Sequence, residues 1–182
     1  MAMKLFELTR PEEYKVPELL RNAGYQRVGA GSFARVWQKP GAKYVVKVFS
    51  SQDKCYLNYL GVVKRHPDNP HFPRIIGQPM RVHNHYYGVR LEPLTRGYDD
   101  IPQSVRNAII EYLYQPREQE KRDRKAREFA TVFQEYPRLR EALDLIASVS
   151  RHDHFGSCMI DIHRFNVMIR ADGTFVFTDP VA

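Results

Sequence analysis

Three side chains in the last part of the sequence have types and a spacing that suit catalysis. Asp161 and Asn166 lie five residues apart, and Asp179 follows eighteen residues after Asp161. An aspartate can accept the proton of a hydroxyl group, while an asparagine and a second aspartate offer oxygen atoms that suit Mg²⁺. Because phosphoryl transfer from ATP uses such a set, the spacing predicts that chemistry.

Each of the three residues also has a structural explanation when it is taken alone. Asp161 could cap a turn through its own backbone, and Asn166 could adopt a left-handed conformation before a strand. Asp179 precedes Pro180, and aspartates are common before turns. All three explanations would have to hold together, so the joint spacing favours the catalytic interpretation.

A glycine-containing segment earlier in the chain could bind phosphate. Gly29, Gly31 and Ala34 satisfy the pattern G-x-G-x-x-[GA], which occurs in dinucleotide-binding folds and in the glycine-rich loops of kinases. A dinucleotide site needs a helix directly after the glycines, whereas residues 35–37 continue as a strand towards Pro40. We therefore expect a β-hairpin whose small residues let backbone N–H groups approach phosphates, with an ordinary tight turn as the alternative.

Lys47 is the second candidate phosphate contact. It follows the apolar residues 44–46 in a strand that alternates towards a core, and an ammonium group embedded there needs an anionic partner. Phosphate oxygens would supply one, although a lysine at a strand edge could instead reach solvent. The segment LEPL, residues 91–94, could offer backbone hydrogen bonds to an adenine edge.

The composition restricts the class of protein. With 182 residues, 43% hydrophobic and 12% aromatic, the chain can bury one core or two small lobes. The formal charge of +7 favours acidic partners, and no apolar run approaches the roughly 18 residues of a membrane span. We therefore expect a soluble, cytoplasmic protein. Cys55 and Cys158 have no CxxC spacing, and we expect them to be reduced.

Hydrophobic alternation before Leu94 predicts an antiparallel sheet of five strands and one helix. A helical extension is expected over 1–24, with a capped start at Thr9 and a stop at Gly24. The expected strands comprise three between residues 25 and 49 and two near 75–82 and 86–91, and the helix covers 51–64.

After Leu94 the pattern becomes helical, and the chain closes with a hairpin around the turn ADG that presents Asp179. The fold class is therefore predicted to be α+β with two lobes. Residues 1–94 would form a nucleotide-binding lobe, and residues 95–182 would form a mostly helical catalytic lobe.

The ordered set of hairpin, strand lysine, LEPL segment, and the Asp, Asn and Asp residues resembles the protein-kinase-like fold across most of the chain. Two details narrow the resemblance: the motif DIHRFN places His163 two residues after Asp161, and TDP stands in place of DFG. These details are similar to aminoglycoside phosphotransferases and, more closely, to the compact early serine/threonine protein kinases of podophage-type bacteriophages. The resemblance implies ATP and Mg²⁺ as cofactors.

The resemblance also implies a role for each matching residue. Asp161 would orient or deprotonate the acceptor hydroxyl, His163 would contact the γ-phosphate, and Lys47 would position the α- and β-phosphates. Asn166 and Asp179 would hold magnesium against the phosphates. Further implied nucleotide contacts are Gly29, Gly31, Ser32, Val36, Val45, Glu92, Leu94 and Met168.

Several departures from the family leave two functions open. Met159 stands where kinases have the histidine of HRD, the helix 51–64 has no glutamate to pair with Lys47, and the sequence given ends three residues after Asp179. The first hypothesis is a phage-type serine/threonine kinase that phosphorylates host proteins in the host cytoplasm during host takeover. The alternative is a pseudokinase-like module that binds and inhibits a host protein. A small-molecule kinase is a third hypothesis, and no nucleic-acid-binding motif is present.

Overall fold

The computed structural model describes residues 15–31, 34–83, 85–114, 119–152 and 158–182. By their internal contacts the residues fall into two compact units. The first comprises Met1–Lys54 and Arg74–Pro93, and the second comprises Cys55–Pro73 and Leu94–Ala182. The sequence predicts that segment 55–73 belongs with the sheet, whereas in the structure it groups with the helical residues.

The first unit contains the five-stranded antiparallel sheet that the sequence predicts. Its strands lie in the order β1-β2-β3-β5-β4, and every neighbouring pair is antiparallel. The α+β class is thereby confirmed. The strands are β1 (Gln26–Ala30), β2 (Ala34–Gln38), β3 (Val45–Ser50), β4 (Met80–His83) and β5 (Tyr86–Leu91).

Helix α1 (Lys15–Asn22) covers one face of this sheet. Pro17 fits within its first turn, where a backbone N–H has no helical partner. Gly24, with φ of +83°, ends the helix, and its N–H donates to the carbonyl of Arg21 at 2.8 Å. The predicted start at Thr9 lies outside the described residues. The cluster beneath α1 contains Val16, Leu20, Tyr25, Trp37, Val46, Val48 and Val82.

The second unit contains most of the helices and a small hairpin. Its core is formed by fully buried residues of α3 and α6, among them Ile109, Tyr112, Leu143 and Ile146. No described helix is long and apolar enough to cross a membrane. The elements are α2 (Lys54–Arg65), a 3-10 helix (Tyr98–Asp100), α3 (Gln103–Leu113), α4 (Gln119–Glu128), α5 (Ala130–Glu135), α6 (Leu139–His152), β6 (Val167–Ile169) and β7 (Phe175–Phe177).

A disulfide joins the first turn of α2 to the segment that precedes Asp161. Cys55 and Cys158 are both buried, and their Cα atoms lie 5.4 Å apart, within the range that a disulfide requires. The prediction of reduced cysteines is therefore wrong. The two residues are separated by 103 positions in the sequence, so their spacing carried no sign of the bond.

The disulfide should contribute strongly to stability, because a cross-link that closes a loop of about 100 residues is worth about 4.7 kcal/mol through the lost entropy of the unfolded chain. We expect dithiothreitol, or the double substitution Cys55→Ala/Cys158→Ala, to lower the melting temperature by several degrees, with no further effect of dithiothreitol on the double variant. Thiol titration of the denatured, non-reduced protein should find no free thiol. Two reactive thiols, or equal melting with and without reductant, would contradict the bond.

Candidate functional site

Asn166 and Asp161 are joined directly by hydrogen bonds. The Nδ2 amide of Asn166 donates to the backbone carbonyl of Asp161 at 2.8 Å and to its carboxylate Oδ2 at 2.9 Å. The backbone N–H of Asn166 also donates to the carbonyl of His163 at 2.9 Å, which closes the loop. Because the NH₂ group is used by Asp161, the amide Oδ1 is the atom of Asn166 left to ligate a cation.

The two residues on either side of Asp179, Thr178 and Pro180, are hydrogen-bonded to this loop. Thr178 donates both its backbone N–H, at 2.8 Å, and its hydroxyl, at 3.1 Å, to the carbonyl of Asn166. On the other side, the backbone N–H of Asp161 donates to the carbonyl of Pro180 at 2.9 Å. The second unit thus brings together the three residues that the sequence singles out.

His163 lies beside the carboxylate of Asp161. The backbone N–H of Phe165 donates to His163 Nδ1 at 3.2 Å, and the Nδ2 amide of Asn166 lies 3.0 Å from His163 Nε2. That nitrogen faces Asp161 Oδ1 at 3.4 Å. The side chain of His163 is 45% exposed, which leaves it accessible to a ligand, and its contact with a γ-phosphate remains a prediction.

The hairpin of β6 and β7 carries Asn166 at its start and Asp179 just after its end. Phe177 of β7 is fully buried; its backbone carbonyl accepts a hydrogen bond of 2.5 Å from the Tyr59 hydroxyl of α2. Burial, with the negative charge of Asp179 adding to it, holds the pKa of Tyr59 well above its usual value. Tyr59 therefore remains a neutral donor at physiological pH and fixes the end of the hairpin.

A second set of contacts holds the same hairpin to the segment after α2. The backbone N–H of Phe177 donates to the carbonyl of His71 at 2.9 Å. The ring of His71 stacks on Phe175 with centroids 4.5 Å apart, and its Nδ1–H donates to the Phe175 carbonyl at 3.1 Å. Arg170 donates to the carbonyls of Pro70 and Phe72. These contacts place the hairpin without using any predicted catalytic side chain.

In the first unit, Lys47 lies in the middle of the sheet and is only 7% exposed. It is paired across the strands with Val36 of β2 and Val89 of β5. Directly opposed residues share a face of a sheet, as do residues two apart on one strand. Lys47, Val36 and Val45 therefore share one face, opposite to the face that packs on α1. The predicted phosphate and adenine contacts of the sheet are thus grouped together.

The glycine-containing segment is a β-hairpin, as predicted, and does not lead into a helix. Ala30 of β1 pairs with Arg35 of β2, and the N–H of Gly31 donates to the carbonyl of Ala34 at 2.9 Å. A Cβ on Gly29 would meet Val36 at 3.4 Å. Ser32, the remaining predicted contact of this loop, lies outside the described residues.

Three further predicted nucleotide contacts have defined places in the structure. Glu92 is half-buried; its carboxylate accepts the N–H of Arg74 at 2.8 Å, which gives this side chain a structural role. Leu94 is half-buried at the first residue of a segment of the second unit. Met168 is half-buried on β6, where it pairs with Val176. Their contact with adenine remains a prediction.

The sequence did not indicate Tyr59 and His71 as residues that support the site. Tyr59 is 118 positions from its partner Phe177, and His71 is 104 positions from Phe175. Local hydrophobic periodicity identifies Tyr59 only as an apolar position of a helix. A signal for either contact would require information about pairs of positions far apart in the chain.

The donor chemistry of Asn166 and Asp179 fits Mg²⁺ when it is bound together with phosphates. Among the residues that the structure describes, no group of three or more His, Cys, Asp or Glu side chains could hold a metal ion alone. Mg²⁺ in nucleotide sites commonly takes one or two protein ligands and completes its octahedron with phosphate oxygens and water. Asn166 Oδ1 and a carboxylate oxygen of Asp179 are oxygen donors of this kind.

Comparison of the sequence with protein families and with curated proteins finds no match. Among solved structures, the chain is similar to PK-1, a kinase of the Cydia pomonella granulovirus, at 13% sequence identity and a TM-score of 0.44. The match covers 93% of this chain and 58% of the viral kinase, so the chain spans less than two thirds of that protein. A likeness at this TM-score carries no functional argument.

The buried His71 should make stability depend on pH. Burial, together with the nearby charge of Arg170, lowers the pKa of His71 from 6.5 to about 4, against the opposing effect of its hydrogen bond to Phe175. The unfolded chain binds this proton below pH 6.5, whereas the folded protein binds it only near pH 4. The free energy of unfolding should therefore be fully retained above pH 6.5 and fall by about 3 kcal/mol between pH 6.5 and 4.

Urea unfolding of the wild type and of His71→Gln between pH 7 and 4 measures this contribution, with the partly exposed His66 as a matched control through His66→Gln. We expect a flatter pH dependence only in His71→Gln. If that variant does not fold, an NMR titration of the His71 ring in the wild type decides the point. A ring pKa above 6 would contradict the burial argument.

Proposed function

We propose that this protein is an ATP- and Mg²⁺-dependent phosphotransferase that acts on a hydroxyl group. The observation that carries the proposal is the arrangement around Asp161. Its carboxylate is held by Asn166, and both residues are hydrogen-bonded to the neighbours of Asp179. Phosphoryl transfer asks a protein mainly for positioning and charge neutralisation, and hydrogen bonds to backbone groups supply that positioning here.

Each residue of the second unit has a separate role in this proposal. Asp161 receives or directs the proton of the acceptor hydroxyl through its carboxylate. Asn166 orients that carboxylate through Nδ2 and offers Oδ1 to the metal, while Asp179 offers a carboxylate oxygen. Mg²⁺, when bound, neutralises the charge of the phosphates during transfer. The ring of His163 contacts the phosphoryl group that is transferred.

In the first unit, we propose Lys47 as the contact of the α- and β-phosphates. Val36 and Val45 share its face of the sheet and would contact the adenine ring, as would Glu92. Leu94 and Met168, which belong to the second unit, are further proposed adenine contacts. The backbone around Gly29, Gly31 and Ser32 would approach the phosphates.

For the acceptor, we propose a serine or threonine of a host protein, with the reaction taking place in the host cytoplasm. The support is the similarity of the motifs DIHRFN and TDP to phage kinases. The second candidate function is a pseudokinase-like module that binds a host protein without transfer. One observation favours it: α2 contains no acidic residue that could pair with Lys47.

Substitution of the proposed base, Asp161, should distinguish a phosphotransferase from a binding module. We expect Asp161→Asn to reduce transfer of radiolabelled phosphate from ATP, to the protein itself or to host extract, by about 10²- to 10⁴-fold. The exposed Asp68 of the same unit provides the matched control, and Asp68→Asn should retain activity. Melting curves verify that both variants fold. Equal transfer by Asp161→Asn and the wild type would contradict the proposed role.

Nucleotide binding should stabilise the protein in a manner that depends on magnesium. At ATP concentrations about 100 times the dissociation constant, the added stability is about 2.7 kcal/mol. We expect a rise in melting temperature with ATP and Mg²⁺ that is strongly reduced in Asp179→Asn and Asn166→Ala. An absence of any shift in the wild type would contradict a nucleotide site and favour the binding module.

A further inference from the structure

A shallow cleft of about 560 Å³ adjoins the proposed base. It is lined by Tyr98, Ile162, His163, Arg164 and Phe165. Because His163 Nε2 lies 3.4 Å from Asp161 Oδ1, a molecule in the cleft would lie next to the residue that receives the acceptor proton. Phe165, one of the residues of this lining, is 52% exposed and therefore accessible to a ligand.

Two guanidinium groups flank the exposed ring of Phe165. The Cζ atom of Arg164 lies 4.8 Å from the ring centroid, and that of Arg96 lies 5.4 Å from it. The two positive charges are therefore within about 10 Å of each other, a distance comparable to the Debye length of about 8 Å at physiological salt. Their mutual repulsion would be relieved by an anion bound between them.

These two arginines are not neutralised by the described part of the chain. No described carboxylate lies within ion-pair distance of Arg96 or Arg164. The neighbouring Arg106, in contrast, has such a partner. Arg106 lies over the ring of Tyr98 at 5.4 Å, but its Nη1 contacts Asp99 at 3.3 Å and its Nη2 donates to Gln103 at 2.7 Å. Arg164, which lines the cleft, and Arg96, which lies over the ring of Phe165 beside it, therefore supply the positive charge there.

The segment that carries Arg96 and Tyr98 is held firmly in place. Thr95 and Ile169 exchange backbone hydrogen bonds of 2.9 and 2.8 Å. A Cβ on Gly97 would lie 2.5 Å from Cδ1 and 2.9 Å from Cγ1 of Ile169, so a larger residue here would require the Ile169 side chain to move. The wall of the cleft is consequently built on the same hairpin that carries the proposed metal ligands.

We propose that this cleft recognises acidic side chains next to the hydroxyl that is phosphorylated. Guanidinium groups bind carboxylates through two parallel hydrogen bonds, and arginines with aromatic rings form the strongest contacts of protein interfaces. The substrates are thus peptide segments in which the acceptor serine or threonine is flanked by Asp or Glu. This assignment deepens the proposed function and depends on it for the identity of the acceptor.

Peptide binding in the absence of nucleotide tests the cleft separately from catalysis. The probes are fluorescein-labelled peptides with a central serine flanked by Glu, by Gln or by Lys, measured by fluorescence anisotropy. We expect the Glu peptide to bind at least about tenfold more tightly than the Gln peptide, since charge-assisted hydrogen bonds are the stronger ones. The preference should decrease as salt is added.

The double variant Arg96→Gln/Arg164→Gln should lose the preference for the Glu peptide. The matched control is Arg124→Gln/Arg127→Gln, which removes two positive charges from exposed positions of α4, and it should retain the preference. Asp161→Asn should bind the Glu peptide normally even though its transfer of phosphate is strongly reduced, so the two proposals fail independently.

Three results would overturn the assignment to acidic peptides. The first is equal binding of the Glu and Gln peptides to the wild type. The second is an unchanged preference in a folded Arg96→Gln/Arg164→Gln variant. The third is tighter binding of a single-stranded oligonucleotide of matched charge through the same two arginines, which would assign the cleft to a nucleic acid.

Discussion

The site depends on the burial of one short hairpin. β6 and β7 have three residues each, and an isolated two-stranded ribbon is marginally stable in water. The hairpin must nevertheless hold Asn166, which precedes β6, and Asp179, which follows β7, in fixed positions relative to each other. The hydroxyl of Tyr59 and the backbone and ring of His71 provide the missing support. Interactions with α2 and with the segment after it therefore determine where the oxygen atoms of the proposed site lie.

The hydrogen bonds that position the proposed base involve mainly the backbone. The N–H of Asp161 donates to the carbonyl of Pro180, and the carbonyl of Asn166 accepts from Thr178. Positions fixed by backbone groups are not altered by the rotamers of exposed side chains. The charged groups of the site can therefore be substituted with limited effect on the fold. Loss of the Tyr59 hydroxyl or the His71 ring, in contrast, would shift the β6–β7 hairpin and with it the residues of the site.

Features with a local pattern were predicted from the sequence, and features that join distant positions were not. The sheet, the glycine-containing hairpin and the hairpin before Asp179 follow from alternation and turn residues within short windows. The contacts of Tyr59 and the bond between Cys55 and Cys158 span more than 100 positions, so no window contains both partners. For the same reason, periodicity identified α2 as a helix but did not indicate that it groups with the second unit.

The bond between Cys55 and Cys158 also changes how the chain behaves once it is cut. It encloses most of α2, strands β4 and β5, and all of α3, α4, α5 and α6 in a covalent ring. A protease that cleaves a single peptide bond anywhere between the two cysteines would leave fragments that migrate as one species on a non-reducing gel. The segment that precedes Asp161 would then remain attached to α2, and reductant would be needed to release it.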